Sequence, residues 1–276
     1  MFCKGRYPNL GKELIIMNKN KVQSYNFDWD DNILFMPTKI VVFHKENKSP
    51  LEISTEEFGQ IRSQIGNDGK YKDYLIGNEQ ILTDGSPNPC FSFINFRDRD
   101  YGVSNEFLPQ VMEALQKSPN CFGPSFNAFC KALNDKDTAA RTTIITARGH
   151  HPNSLHQALA HLKELGHFKF LPPVENMHPV SSKKYDASAA HPSQKKLEIL
   201  INEIDQVEKC AKKSKGKEHL SGFSDDDFST YQNVKKAIEE EVKKDRWPNT
   251  QVVLFYTGYK PEALEITPEG NLPYAA

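Results

Sequence analysis

Two clusters of aspartate, each closing a strand-like apolar run, carry the chemistry this sequence offers. Asp28 and Asp30 stand two apart directly after residues 22–27, and Asp225, Asp226 and Asp227 follow residues 220–224. Two carboxylates spaced in this way on a loop can face one site. One then attacks a phosphorus atom while the other gives the leaving group its proton. Carboxylates that face an anionic substrate need a cation between them, and the second cluster supplies its remaining ligands. Hard oxygen ligands imply Mg²⁺. Phosphoryl transfer then runs largely on positioning and charge neutralisation.

The elements that must hold these acids are legible as an alternation. Residues 22–27, 142–146, 167–171, 220–224 and 251–256 read as strands. Helical periods occupy 107–115, 126–133, 153–165, 197–207 and 229–244. Such alternation predicts an α/β fold, a three-layer Rossmann-like, mostly parallel sheet with helices on both faces. In open sheets of this kind the ligand lies at the carboxyl ends of the strands. Three strands here end in polar triplets, at 28–30, 146–148 and 225–227. The stretch 36–105 breaks the alternation. Residues 38–53 read as a hairpin, and Ser54 with Glu57 makes a capping-box start for a helix through about Ile65. An island at 90–96 reads as strand within a stretch rich in Gly, Pro, Asn and Asp.

The run Phe27-Asp28-Trp29-Asp30-Asp31-Asn32-Ile33-Leu34 resembles the first motif of the haloacid dehalogenase (HAD) superfamily, an apolar strand followed by DxDx(T/V); Asn32 stands where Thr or Val is usual. Residues 142–149 (TTIITARG) resemble its second motif, and residues 220–227 its fourth. The resemblance implies a HAD-like core over 22–35 and 106–276, a flap hairpin and small cap insert over 36–105, and an N-terminal extension over 1–21. It makes Asp28 the aspartyl-phosphate nucleophile and Asp30 the general acid/base. Thr146 would bond the transferring phosphoryl group, and Arg148 would contact substrate. The third motif is a lysine near the start of a helix. Lys195 and Lys196 both precede the stripe at 197–207, with Lys196 preferred as catalytic and Lys195 kept as a substrate contact; Lys183 and Lys184 are weaker choices. The implied Mg²⁺ ligands are Asp28, Asp30, Asp225 and Asp226, whereas Asp227 suits the cap of the following helix better.

Other residues have plainer readings. Trp29 should turn away from the flanking acids into the core. His150, His151, His156 and His161 suit loop and surface roles, and Arg97 and Arg99 suit surface ion pairs. The chain has 276 residues, 38% hydrophobic and 26% charged, with a net charge of -1. Its mean hydropathy is -0.63. No global field steers it toward nucleic acid or membrane. The basic run at 209–217 reads as a solvated helix end. The five cysteines are scattered and include no CxxC pair, which argues against a disulfide framework or zinc site and fits reduced thiols in a cytoplasm.

The function expected is therefore a Mg²⁺-dependent phosphatase of a small phosphorylated substrate. Two alternatives stand beside it. A polynucleotide-end (3′) phosphatase is suggested by TARG and the acid-rich fourth motif, with near-neutral charge against it. A non-enzymatic binding protein on the same scaffold is opposed by the intact DxD. Dehalogenation is disfavoured, because it has no leaving oxygen to protonate and Asp30 would have no task.

Overall fold

The computed structural model describes residues 21–78, 90–117, 120–185, 191–214 and 217–274. The expected N-terminal extension lies outside these residues except for Lys21, which opens the first strand. β1 (Lys21–Phe27) is followed by three antiparallel strands, β2 (Ile40–His44), β3 (Pro50–Ile53) and β4 (Tyr74–Ile76), with α1 (Thr55–Ile61) between the last two. The chain then runs through α2 (Phe107–Lys117), α3 (Phe126–Asn134) and α4 (Lys136–Ala139) into β5 (Thr142–Thr146). α5 (Pro152–Glu164) leads to β6 (Met177–Pro179), α6 (Pro192–Lys213) to β7 (Glu218–Asp225), and α7 (Phe228–Lys243) to β8 (Thr250–Tyr256). β9 (Glu262–Thr267) and β10 (Gly270–Pro273) end the described chain.

The main sheet has the order β10-β9-β8-β7-β1-β5-β6. Its strands are parallel from β8 to β6, and β9 and β10 add an antiparallel edge. The chain steps outward from β1 through β5 to β6, then crosses back to lay β7 and β8 on the other side. The winding therefore reverses between β1 and β7, the position at whose strand carboxyl ends open α/β sheets bind their ligands.

Strand alternation divides the core into two layers. Tyr25, Phe27, Ile144, Val253 and Phe255 pack against α2, α3 and α5 through Val111, Phe129, Leu155 and Leu159. Ile145, Phe223, Leu254 and Tyr256 face the opposite way, against Leu200 and Ile204 of α6 and Tyr231, Val234 and Ile238 of α7. β1 and β5 are buried almost throughout, as a central parallel strand must be. Among the described residues, no helix is long and apolar enough to cross a membrane.

The segment after β1 forms a separate small sheet, ordered β3-β2-β4, over its own apolar cluster of Ile40, Val42, Ile53, Ile65 and Tyr71. The expected antiparallel pair is β2 with β3, and Ser54 caps α1 by accepting from the Glu57 N–H at 3.0 Å. Two expectations fail. Residues 90–96 are not a strand: Phe91, Phe93 and Phe96 stack edge to face in an aromatic cluster, and the backbone closes into a 3₁₀ turn at Ile94–Phe96. Residues 167–171 are not a strand either. Phe168 turns into the core, the Phe170 N–H donates to the Leu133 carbonyl on α3, and the ladder position beside β5 goes to β6, beyond Pro172 and Pro173.

A strap at residues 121–125 binds the loop that follows β1. Phe35 N–H donates to the Cys121 carbonyl (2.7 Å), Gly123 N–H to the Ile33 carbonyl (2.8 Å) and Ser125 N–H to the Asn32 carbonyl (2.9 Å). The approach is close enough that a Cβ on Gly123 would lie 2.4 Å from the Asn32 carbonyl oxygen. Neither partner is a flexible side chain, so a substitution must displace backbone. Gly123→Ala should cost about 1–3 kcal/mol by overpacking, visible as a lower urea midpoint; an unchanged midpoint would contradict this docking.

Candidate active site

Strand register brings the two acid clusters together. Phe27 of β1 pairs with Ser224 of β7, so Asp28 and Asp225 leave the sheet side by side. The ladder runs one step further, with Asp28 N–H donating to the Ser224 carbonyl at 3.0 Å. Over both acids lies the first turn of α6. Pro192 opens that helix, and His191 caps it by accepting from the Ser193 N–H. Lys196 is thereby directed inward, with its Nζ 2.9 Å from Asp28 Oδ1 and 2.9 Å from Asp225 Oδ2. One residue earlier, about 100° around the helix, Lys195 points elsewhere and donates to the Tyr185 carbonyl at 2.9 Å. Of the two expected lysines, only Lys196 reaches the acids; Lys183 and Lys184 lie in a short 3₁₀ turn, with the Lys184 ammonium over Tyr185.

Asp28, Asp225 and Asp226 each offer a carboxylate oxygen, and these oxygens lie within 4.8 Å of one another. Asp28, Asp225 and Lys196 are buried. Burial drives Asp28 up to about 8, with Asp225 and Asp30 adding to the rise and Lys196 opposing it. Asp225 is raised by burial against the pull of Lys196, and Asp226 is pushed well above the carboxylate range by burial, Asp225 and Asp28. Lys196 loses to burial but gains more from Asp225 and Asp28, so it is held protonated. Three crowded carboxylates against one ammonium leave the site short of positive charge. An oxygen-ligated divalent cation fits both the donor set and the deficit.

Asp227 is not part of this group. It caps α7, accepting from the Thr230 N–H at 2.6 Å, while its own N–H donates to Asp225 Oδ1 at 2.9 Å. Asp30 is also apart from the three-carboxylate group. Its oxygens face Arg148, with Nε at 3.1 and 2.9 Å from the two oxygens and Nη2 at 2.6 Å from Oδ1. Arg148 is fully buried and engaged with Asp30, so neither of these two expected site residues joins its side chain to the three-carboxylate group. Thr146 ends β5, fully buried, with its hydroxyl accepting from the Arg148 N–H at 3.4 Å.

The most heavily bonded residue of the loop is Asn32. Its amide nitrogen donates to the Asp28 carbonyl (3.1 Å), the Ser224 carbonyl (3.2 Å) and the Ser224 hydroxyl (2.9 Å). Its oxygen accepts from Ser125 (2.7 Å) and Thr257 (2.8 Å). A single side chain thus joins the ends of β1, β7 and β8 to the strap before α3. Sequence reasoning marked Asn32 only as a departure from a pattern and missed Ser125, Thr257, Thr38 and Gln110. No local signal identifies those four, because each meets the site through long-range packing. Trp29 is fully buried against Phe107, away from the acids. His150 is buried beside the same ring, and burial together with Arg148 and Arg97 lowers it to about 2, so it is neutral. Arg97 lies over Phe91, and Arg99 pairs with Glu106 at 3.7 Å.

Compared with protein-family models, curated proteins and solved structures, the chain gives no match.

The raised acids have a consequence for stability. Asp28 shifts from about 4 in the unfolded chain to about 8 when folded. The folded state therefore binds the proton more tightly, and this stabilisation is complete below about pH 4 and fades as pH rises toward 8. Lys196 stays charged across that window. A cation that replaces the proton should then raise the melting temperature more near pH 8 than near pH 5, as thermal melts with MgCl₂ and with EDTA would measure. Equal shifts at both pH values would contradict the charge deficit.

Proposed function

We propose that the protein is a Mg²⁺-dependent phosphohydrolase that resembles the HAD superfamily and cleaves a phosphomonoester through a phosphorylated Asp28. The observation that supports this best is the position of Lys196, 2.9 Å from both Asp28 and Asp225, with Asp226 alongside, at the reversal point of the sheet. Asp28, Asp225 and Asp226 would hold the metal. When bound, Mg²⁺ neutralises the carboxylates and the phosphoryl oxygens, which keeps Asp28 ionised and lets an anionic substrate approach.

The protein groups then divide the work. A carboxylate oxygen of Asp28 attacks phosphorus in line with the leaving oxygen. Asp30, ion-paired in the resting site, takes up a proton as the anionic substrate binds and gives it to the departing alcohol as that P–O bond breaks. Lys196 and the Thr146 hydroxyl face the equatorial oxygens, where transition-state charge must be met by fixed donors. Asp30, now a carboxylate, takes a proton from water as the water oxygen attacks the phosphorus. The Asp28–phosphorus bond breaks, and inorganic phosphate leaves with Asp28 regenerated. The segment that carries β2, β3 and β4 meets Arg148, the partner of Asp30, through Thr38 and Phe96, a place from which it can shape access for substrate.

Hydrolysis of p-nitrophenyl phosphate is the direct assay. Turnover should require Mg²⁺, stop with EDTA, and fall by about 10³-fold or more in Asp28→Asn, in line with removal of other nucleophiles. Undiminished turnover by Asp28→Asn would exclude this reading of Asp28.

A further inference from the structure

We propose that Arg148 is a positioning residue for Asp30, locking its carboxylate in the orientation that both proton transfers need. The inference rests on the reading of Asp30 as acid and base and goes beyond it, by assigning the device that aims the group. It also replaces the expected substrate contact of Arg148 with a structural task.

The geometry is unusually complete for one side chain. Arg148 is fully buried. Its Nε and Nη2 form a fork over the Asp30 carboxylate, with contacts of 3.1, 2.9 and 2.6 Å. Nη1 donates to Gln110 Oε1 at 2.9 Å, and Nη2 donates to Thr38 Oγ1 at 2.8 Å. Thr38 closes the ring of contacts by donating to Gln110 Oε1 at 2.6 Å. The guanidinium carbon also lies over two aromatic rings, 4.9 Å from the centre of Phe96 and 4.8 Å from that of Phe107. Hydrogen bonds and ring contacts together leave the group little freedom to turn.

A buried cation of this kind costs desolvation and is retained only with a paired carboxylate. Asp30 is that carboxylate, and it is the partly exposed member, with 18% of its side chain accessible against none for Arg148. The protein therefore buries the arginine completely and leaves the acid at the edge of the site. A planar fork specifies two oxygens at once, which a lysine point charge does not. The contacts come from three places: Thr38 and Phe96 in the segment after β1, Phe107 and Gln110 on α2, and the backbone of Arg148 just past β5. The orientation of Asp30 is consequently set by how that segment sits on the core, and Gly149 N–H fastens it further by donating to the Phe96 carbonyl at 2.7 Å.

A positioning role and a purely architectural ion pair give different kinetics. Arg148→Met removes the fork while keeping an unbranched side chain beside Phe96 and Phe107. With an alkyl phosphate, whose leaving group needs a proton, the variant should lose at least about 10²-fold, the usual scale of acid–base assistance. With p-nitrophenyl phosphate the leaving group departs without a proton, so phosphorylation of Asp28 should survive. The later attack by water still needs Asp30, so the variant should release one equivalent of p-nitrophenolate per site in a burst and then turn over slowly. In an Asp30→Asn background, Arg148→Met should add no further loss in rate, because it acts through the group already removed. Melting temperatures supply a readout independent of rate. Each single variant should melt below wild type, and the double variant no lower than the less stable single, since it leaves no charge unpaired. Arg148→Lys guards against a folding artefact: it should melt nearer to wild type yet keep the leaving-group defect. Rate losses that multiply in the double variant, or equal losses for both substrates without a burst, would overturn the proposal while leaving the phosphatase reading intact. A wild-type protein with no Mg²⁺-dependent turnover would overturn both.

Discussion

The ammonium of Lys196, held between Asp28 and Asp225, is the contact on which the site depends. Burial disfavours the charged state of adjacent carboxylates, and among the described residues the one cation in contact with both Asp28 and Asp225 comes from near the start of α6. The surrounding architecture can be seen as the means of delivering it. β1 and β7 must be neighbours in register so that their acids emerge together, which the 3-2-1-4-5 winding of the parallel strands achieves. α6 must cross from the far edge at β6 back over the sheet, and its capped N-terminus must meet the carboxyl ends of the strands. A helix displaced by one residue would present Lys195, whose ammonium instead serves the loop at Tyr185.

A second constraint acts through neutral groups. The loop between β1 and the strap carries Asp28 and Asp30, and Asp31 within it takes a left-handed backbone with φ 54°. Such a conformation persists only where neighbours over-determine it. Asn32 supplies that support, because an amide has both donors and an acceptor and here uses both kinds. A shorter hydroxyl could not serve β7, the strap and the residue after β8 at once. The acids are thereby held from two sides, Asp28 by the charge on Lys196 and its loop by the hydrogen bonds of Asn32. Asp30 has a different anchor in Arg148, so the two carboxylates of the DxD pair are governed by separate networks.

How much of this was visible in the sequence depends on the range of the interaction. Strands whose neighbours bury both faces announced themselves as apolar runs, and 142–146 matched β5 at both ends. Acids that follow such strands were legible because strand ends dictate where they go. Lys196 was preferred over Lys195 only slightly from sequence, since helical phase decides between adjacent lysines and the exact start of α6 depends on its cap at His191. The segments 90–96 and 167–171 were misread as strands because apolar composition does not say whether a side chain pairs in a ladder or packs into an aromatic cluster. β9 and β10 were missed for the complementary reason: at the antiparallel margin of the sheet they are mixed in character, with charged residues such as Glu262 and Glu265 on β9. The partners of Asn32 and Arg148 come from residues far apart in the chain, and only the folded structure joins them.

The central claim is that Asp28 is the atom source of a covalent bond to phosphorus. Acid quenching of the protein during turnover, followed by mass spectrometry of its peptides, tests this directly, because an acyl phosphate survives acid long enough to be mapped. The account predicts a phosphate adduct on the peptide that contains Asp28, present only with substrate and Mg²⁺ and absent in Asp28→Asn. Turnover accompanied by an adduct on another residue would contradict it.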